Sequence, residues 1–281
     1  MNKYGIVVDS TVYLSEEIIK THDIQVVSLK VTIDEETYDE KDLTREMIVA
    51  RRKQGAKFQT SAPAPGAFLT TYETMLKQYE HVFVIGLSKE LSGTFQSSVL
   101  GKNMMDNPKK VTIFDTNSSA YGNELLVHRL IALIKEGQSV SKIEEFMKMY
   151  IEHETLMFTC ENLFSLVSGG RLSGARAMIG TVLRVKPIIE MQEGKLNHIK
   201  SERTYNKVFD LMKERIDATT KGHKKVFFYI THTNSQKSGD MLVEYIESEY
   251  PNEEIIYTDL LGPVMTVHVG NKGFGLAWTY E

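Results

Sequence analysis

Cysteine is almost absent from this chain: Cys160 stands alone among 281 residues. A single thiol excludes an intramolecular disulfide framework and a cysteine-rich zinc site, and such scarcity suits a reducing compartment, so a cytoplasmic protein is expected. An excess of charge of one sign is missing as well. Thirty-three basic and 37 acidic residues leave a net charge of -4, without the basic footprint of a nucleic-acid binder, so nucleic acid is not an expected partner. No run approaches the roughly 18 apolar residues of a membrane span. The N-terminal MNKYGIVVDS enters a strand pattern directly, lacking the longer apolar region and small-residue cleavage site of a secretory leader. Repeats, low-complexity tracts and long charged runs are also missing.

Several enzyme signatures fail on a single residue. Gly86-Leu87-Ser88 approaches the nucleophile elbow, but Glu90 replaces its final glycine. His153-Glu154 begins like a zinc-protease helix, yet Met157 occupies the place of the second histidine. There is no Walker A sequence, and Gly273-Phe274-Gly275 runs on into Leu276, Ala277 and Trp278 rather than completing a dinucleotide fingerprint. Neither a cofactor nor a metal is expected.

What is present is a βα alternation. The organising stretch is HVFVIGLSKELSGTFQSS, His81 to Ser98: an apolar run to Leu87 reads as a buried parallel strand, followed by a polar break and a helix start. Ligands of open α/β sheets bind beyond the carboxyl ends of strands, where helix N-termini present unpaired N–H groups. Ser92, Gly93 and Thr94 fall there; they suit an anion, and they equally suit a plain helix cap. Asp9-Ser10-Thr11 follows the first strand in the same manner, with local turn chemistry as the simpler role. Gln25 to Ile33 reads as one strand followed by an acidic loop, Asp34 to Asp42, and a helix over 44–53. In FQTSAPAPGAF, Phe58 to Phe68, Pro63 and Pro65 point to a stiff extended loop with Thr60 and Ser61 on its rim. Strand 111–115, helix 123–135 and a capping box at Ser141-Lys142-Ile143-Glu144 complete the first half.

The pattern changes near Thr155. Two helix-like pieces are split by Gly169-Gly170-Arg171, and Glu193-Gly194 joins 186–191 to 195–200 as a hairpin. A helix over 203–219, a strand over 225–231, a helix over 234–247 and a strand over 254–258 lead to the ending LGPVMTVHVGNKGFGLAWTY. The length accommodates two medium domains: residues 1–154 as a doubly wound parallel-sheet α/β domain and 155–281 as a smaller mixed-sheet α/β domain.

Taken together, DSTVYL, FQTSAPAPGAF, LSKELSGTFQSS, DTNSSAYG, LVSGGRLSG, KPIIEMQEGK, the SER segment and LGPVMTVHVGNKG resemble, in order and spacing, the DegV family of bacterial fatty-acid-binding proteins. The final motif departs from the family's usual H-x-G-P-G, reading His268-Val269-Gly270-Asn271-Lys272-Gly273. The resemblance implies one long-chain fatty acid, such as palmitate or oleate, in a tunnel between two domains. Its carboxylate is expected near Thr60, Ser61, Ser92, Gly93, Thr94 and His268. It implies a carrier subunit of a bacterial fatty-acid kinase that has no ATP site of its own, presents the carboxylate to a separate catalytic subunit and carries the acyl-phosphate. Arg203 is then expected at the kinase-facing surface, and transient contact with a membrane surface is compatible with such a cargo. Two other classes remain open: a stand-alone enzyme acting on a small polar or phosphorylated substrate at Ser92, and a lipid-sensing regulatory module.

Overall fold

Short β-branched runs alternating with capped helices organise the N-terminal half. The computed structural model describes residues 3–160, 163–172, 185–223 and 225–281. In chain order the first half contains β1 (Tyr4–Asp9), α1 (Glu16–Thr21), β2 (Gln25–Val27), β3 (Lys30–Ile33), β4 (Glu36–Asp39), α2 (Arg45–Lys53), β5 (Phe58–Ser61), α3 (Pro65–Met75), β6 (His81–Ile85), α4 (Thr94–Asn103), β7 (Val111–Ile113), α5 (Ala120–Lys135) and α6 (Val140–His153). Strands β2, β1, β6 and β7 form a parallel sheet in that order. Every residue of β1 and of β6 is buried, as expected of strands covered on both faces.

Three expectations for this half change. The stretch read as strand 25–33 plus an acidic loop is broken at Ser28-Leu29 and continues as a hairpin: β3 pairs antiparallel with β4, and β5 pairs on the other side of β3. The polar β4 is an edge strand whose side chains are exposed or part-buried, so its composition mimics a loop, while Val31 and Ile33 of β3 carry the inward face. The loop expected to carry Thr60 is likewise the four-residue strand β5, too short and polar to stand out beside its two prolines. At α6 the cap is Ser139, whose Oγ accepts the Lys142 N–H, rather than Ser141.

The second half contains β8 (Thr155–Cys160), α7 (Phe164–Ser168), β9 (Lys186–Gln192), β10 (Lys195–Glu202), α8 (Tyr205–Thr220), β11 (Val226–Thr233), α9 (Gln236–Glu249), β12 (Glu254–Thr258), α10 (Pro263–Val269) and β13 (Gly273–Tyr280). These strands make a six-stranded mixed sheet, β10-β9-β8-β13-β11-β12. The β9–β10 hairpin turns at Glu193-Gly194 as expected, with both residues at positive φ. The helix-like piece expected after Leu172 lies outside the described residues.

Helix α5 lies between the two larger sheets. It is buried nearly all round, and it contacts β6 on one side and β11 and β13 on the other. One core cluster accordingly joins Ile6, Phe83 and Leu125 to Phe158, Phe227 and Ala277. The three-stranded sheet packs elsewhere: Leu29, Val31 and Ile33 form a cluster with Ile48 of α2 and with Val264 and Val267 of α10. Helix α10, from the end of the chain, thus rests on a sheet made near its beginning.

Candidate functional site

The crevice beyond β1 and β6 is built around a buried carboxyl group. Asp9 accepts the Leu87 N–H at 2.7 Å, the Thr11 N–H at 2.9 Å and the Thr11 hydroxyl at 2.5 Å. It therefore shapes the loop that leads to Ser92 rather than facing a ligand, and burial pushes its own carboxyl up from the usual range. Gly86 is required beside it, because a Cβ there would lie 2.5 Å from Asp9 Oδ2.

Past this loop lies a cavity with about 920 Å³ of empty space, open solvent at its mouth included. Its wall is largely apolar, including Leu29, Leu87, Leu156, Phe158, Val264 and Met265, and it takes residues from both halves of the chain. Thr60, Ser92 and His268 also line it. Thr60 Oγ1 and His268 Nε2 lie 2.9 Å apart although 208 positions separate them in the chain. Ser92 Oγ accepts the Thr94 N–H at 3.3 Å and lies 2.9 Å from Thr94 Oγ1. Ser92, one residue ahead of the Gly93 cap, thus holds the first N–H of α4 and also presents its hydroxyl at the cavity wall.

The remaining expected residues are placed differently. Ser61, adjacent to Thr60 on β5, alternates to the exposed side of the strand. Gly93 is the exposed cap position of α4. Thr94 is buried and lines a second, smaller space beside Asp9 and Phe95. Arg203 is exposed and stands one residue ahead of Thr204, the cap of α8, rather than on the helix itself. Thr204 Oγ1 accepts the Lys207 N–H, which fixes the start of the helix after the arginine.

Two cations escaped the sequence reading. Arg171 lines the cavity and donates to the Gly169 carbonyl at 2.6 Å; its signal was its place after the Gly169-Gly170 pair within LVSGGRLSG. Arg52, on α2, donates to the carbonyls of Thr266 and Val267, immediately before His268. Burial, then Arg171 and Arg52, push the His268 imidazole down to about 4, so it is neutral near pH 7. With one proton shared between Thr60 and the neutral His268, that pair offers one donor and Ser92 a second, so two hydrogen bonds can reach an oxyanion, with the arginines supplying positive potential.

With this geometry established, comparison with known proteins is informative. A family model described as "Uncharacterised protein, DegV family" matches residues 3–281. The chain belongs to the DegV family. A DegV domain-containing protein of Staphylococcus aureus strain MRSA252 is 31% identical over 279 residues, 98% of each chain. Among solved structures, a fatty-acid-binding DegV family protein from Thermus thermophilus is 27% identical, with a TM-score of 0.90 over 99% of this chain and 100% of that one. DegV from Bacillus subtilis, described as a fatty-acid-binding protein, is 28% identical, with a TM-score of 0.85 over the whole of both chains. The parallel sheet and mixed sheet are therefore the DegV fold. Among the described residues no helix is long and apolar enough to cross a membrane, and no group of three His, Cys, Asp or Glu is placed to hold a metal ion.

Three other buried carboxyl groups give this DegV-family chain a pH signature. Burial pushes Glu124 and Glu154 up to about 8 and Glu40 up to about 7, from an ordinary 4.5. A raised folded value means that their favourable contribution is complete below about 4.5 and is lost as pH rises through 7 to 8. His268 and His128, each lowered to about 4 from 6.5, act in the opposite sense, losing their contribution as pH falls from 6.5 through 4. Of these groups, only the carboxyl groups act above 6.5. The melting temperature should fall between pH 6.5 and 8.5 and level off beyond, and Glu124→Gln should flatten that slope; a melting temperature rising over this interval would contradict the assignment.

Proposed function

We propose that this protein binds one long-chain fatty acid in the cavity between its two halves, with the carboxylate at Thr60, Ser92 and His268. The observation that carries this reading is a large, mostly apolar cavity into which a paired threonine and neutral histidine project. The fatty-acid-binding relatives from T. thermophilus and B. subtilis support it. Burying about 14 methylenes at about 0.8 kcal/mol each yields a gross gain near 11 kcal/mol, before the ordering of the chain and the desolvation of the head group are subtracted. The head group needs donors because an unpaired buried charge would cancel much of that gain. The division into residues 1–154 and 155–281 is part of the proposal: the first segment supplies Thr60 and Ser92, and the second closes the tunnel with α10.

Extraction of the purified protein with organic solvent, followed by mass spectrometry, should recover a long-chain fatty acid. Recovery of no lipid, together with no uptake of added palmitate or oleate, would overturn the assignment.

The finer reading is a carrier in the cytoplasm that presents the carboxylate to a separate ATP-dependent fatty-acid kinase and then carries the acyl-phosphate. It is supported by the family resemblance, the exposed Arg203 and the failed match to a Walker A sequence. A planar guanidinium suits bidentate pairing with a phosphate or a partner carboxylate. Arg203→Ala should keep its fatty acid and its stability but lose support of the kinase reaction, with Arg203→Lys recovering part of it. His268→Ala in the same assay should leave the acyl tunnel intact, weaken the hold on the carboxylate about tenfold and slow acyl-phosphate formation. If Arg203→Ala releases lipid, or supports the kinase normally, the docking role fails.

A further inference from the structure

Helix α10 carries His268 and is only seven residues long. A helix leaves its first N–H groups and last C=O groups unpaired, so in so short a helix partners outside it determine where it sits. Both ends of α10 are held by side chains from the N-terminal half. At the first turn the Glu40 carboxyl group, 3% exposed, accepts the Val264 N–H at 2.8 Å and the Tyr13 hydroxyl at 2.9 Å. The Tyr13 oxygen in turn accepts the Met265 N–H at 3.2 Å, and Ser10 donates to the other oxygen of Glu40. At the last turn the Arg52 guanidinium donates to the Thr266 carbonyl at 3.2 Å and to the Val267 carbonyl at 2.7 Å. The Glu40 carboxyl oxygen and the Arg52 guanidinium thus satisfy unpaired N–H and C=O groups at opposite ends of the helix.

From this arrangement we propose that Glu40 and Arg52 are positioning residues that clamp α10 at its two ends and so hold His268 against Thr60 in the carboxylate site. The inference rests on the fatty-acid reading above and extends it to two side chains outside the cavity lining. Arg52 acts on the residues directly preceding His268, while Glu40 sets the opposite end of the same short helix. A site built on so small an element loses its geometry when the supporting contacts are loosened, even though the ligand never touches them.

The test compares Arg52→Ala, Arg52→Lys, Glu40→Ala and Glu40→Gln for binding of palmitate and of 1-hexadecanol, which shares the chain but lacks the carboxylate. The alanine variants should bind palmitate about tenfold more weakly, with little change for hexadecanol. Lysine and glutamine, which keep one hydrogen bond at each end, should recover most of the loss. In a His268→Ala background the clamp substitutions should cost nothing further. Equal losses for both ligands, or losses that add to that of His268→Ala, would reduce Glu40 and Arg52 to ordinary stabilising contacts. A ligand-free readout separates this proposal from the fatty-acid reading: the His268 Nε2 NMR shift in the alanine variants should move to that of Thr60→Val, where the hydrogen bond is absent. Retention of the wild-type shift overturns the clamp, whereas wild-type protein that takes up neither ligand overturns the lipid reading alone. Should Glu40→Ala fail to fold, Arg52→Ala, at a part-exposed position, decides the matter.

Discussion

Thr60→Val combined with Ser92→Ala should weaken palmitate binding by roughly a hundredfold or more. Each hydroxyl removed is a hydrogen bond to a charged group, about 1.5–3 kcal/mol, and a tenfold loss of affinity corresponds to about 1.4 kcal/mol. Thr60 carries a second effect, because valine leaves His268 Nε2 without the partner it has at 2.9 Å. Ser92→Ala also removes the acceptor for the Thr94 N–H at the start of α4, which costs about 0.5–1.5 kcal/mol of stability. The stability cost and the binding loss must therefore be measured separately. Calorimetric titration of the double variant, alongside its thermal melt, does so. A folded double variant with unchanged affinity would place the head group elsewhere in the cavity.

The other large effect is expected from Gly275→Val. Gly275 lies on β13 at the middle of the six-stranded sheet, paired with Phe158 and Thr231, and lines the cavity. A Cβ at this position would lie 2.3 Å from the Tyr121 hydroxyl, and Tyr121 is held on α5 by donation to the Met157 carbonyl at 3.1 Å. Valine must drive the tyrosine ring aside, into space that both residues border. The overpacking should cost about 1–3 kcal/mol, leaving a folded protein that no longer retains a long acyl chain through purification. Shorter acids, needing less of the cavity, should be affected less. Normal recovery of palmitate from Gly275→Val would show that the chain runs along a different part of the cavity.

Parallel strands were the most legible part of the fold. Tyr4–Asp9 and His81–Ile85 are apolar on both faces, so their burial needs no knowledge of what covers them. The hairpin at Glu193-Gly194 was equally plain, since its turn demands residues that tolerate positive φ. Strands β4 and β5 were hidden because an edge strand can be polar and β5 is only four residues long. Helix α5 is central for a reason that local sequence does not display: two sheets cover it, and its near-complete burial follows from where they lie.

The site divides in the same manner. Residue types and motif order pointed to Thr60, Ser61, Ser92, Gly93, Thr94 and His268, because hydroxyls, helix starts and the DegV pattern are local properties of the chain; of these, Thr60, Ser92 and His268 line the cavity. Alternation along β5 selects Thr60 over Ser61 for the cavity, and this required knowing which face of that strand is covered. Arg52 and Glu40 were invisible for a related reason. Each acts on groups brought close only by folding: Glu40 and Val264 are 224 positions apart, and Arg52 and Thr266 are 214 apart. Local sequence determined the chemistry available to this protein, since side-chain type and backbone preference belong to each residue. Tertiary structure alone decided which of those groups face the cavity and how α10 is held there, because burial and hydrogen-bond geometry depend on packing between distant segments.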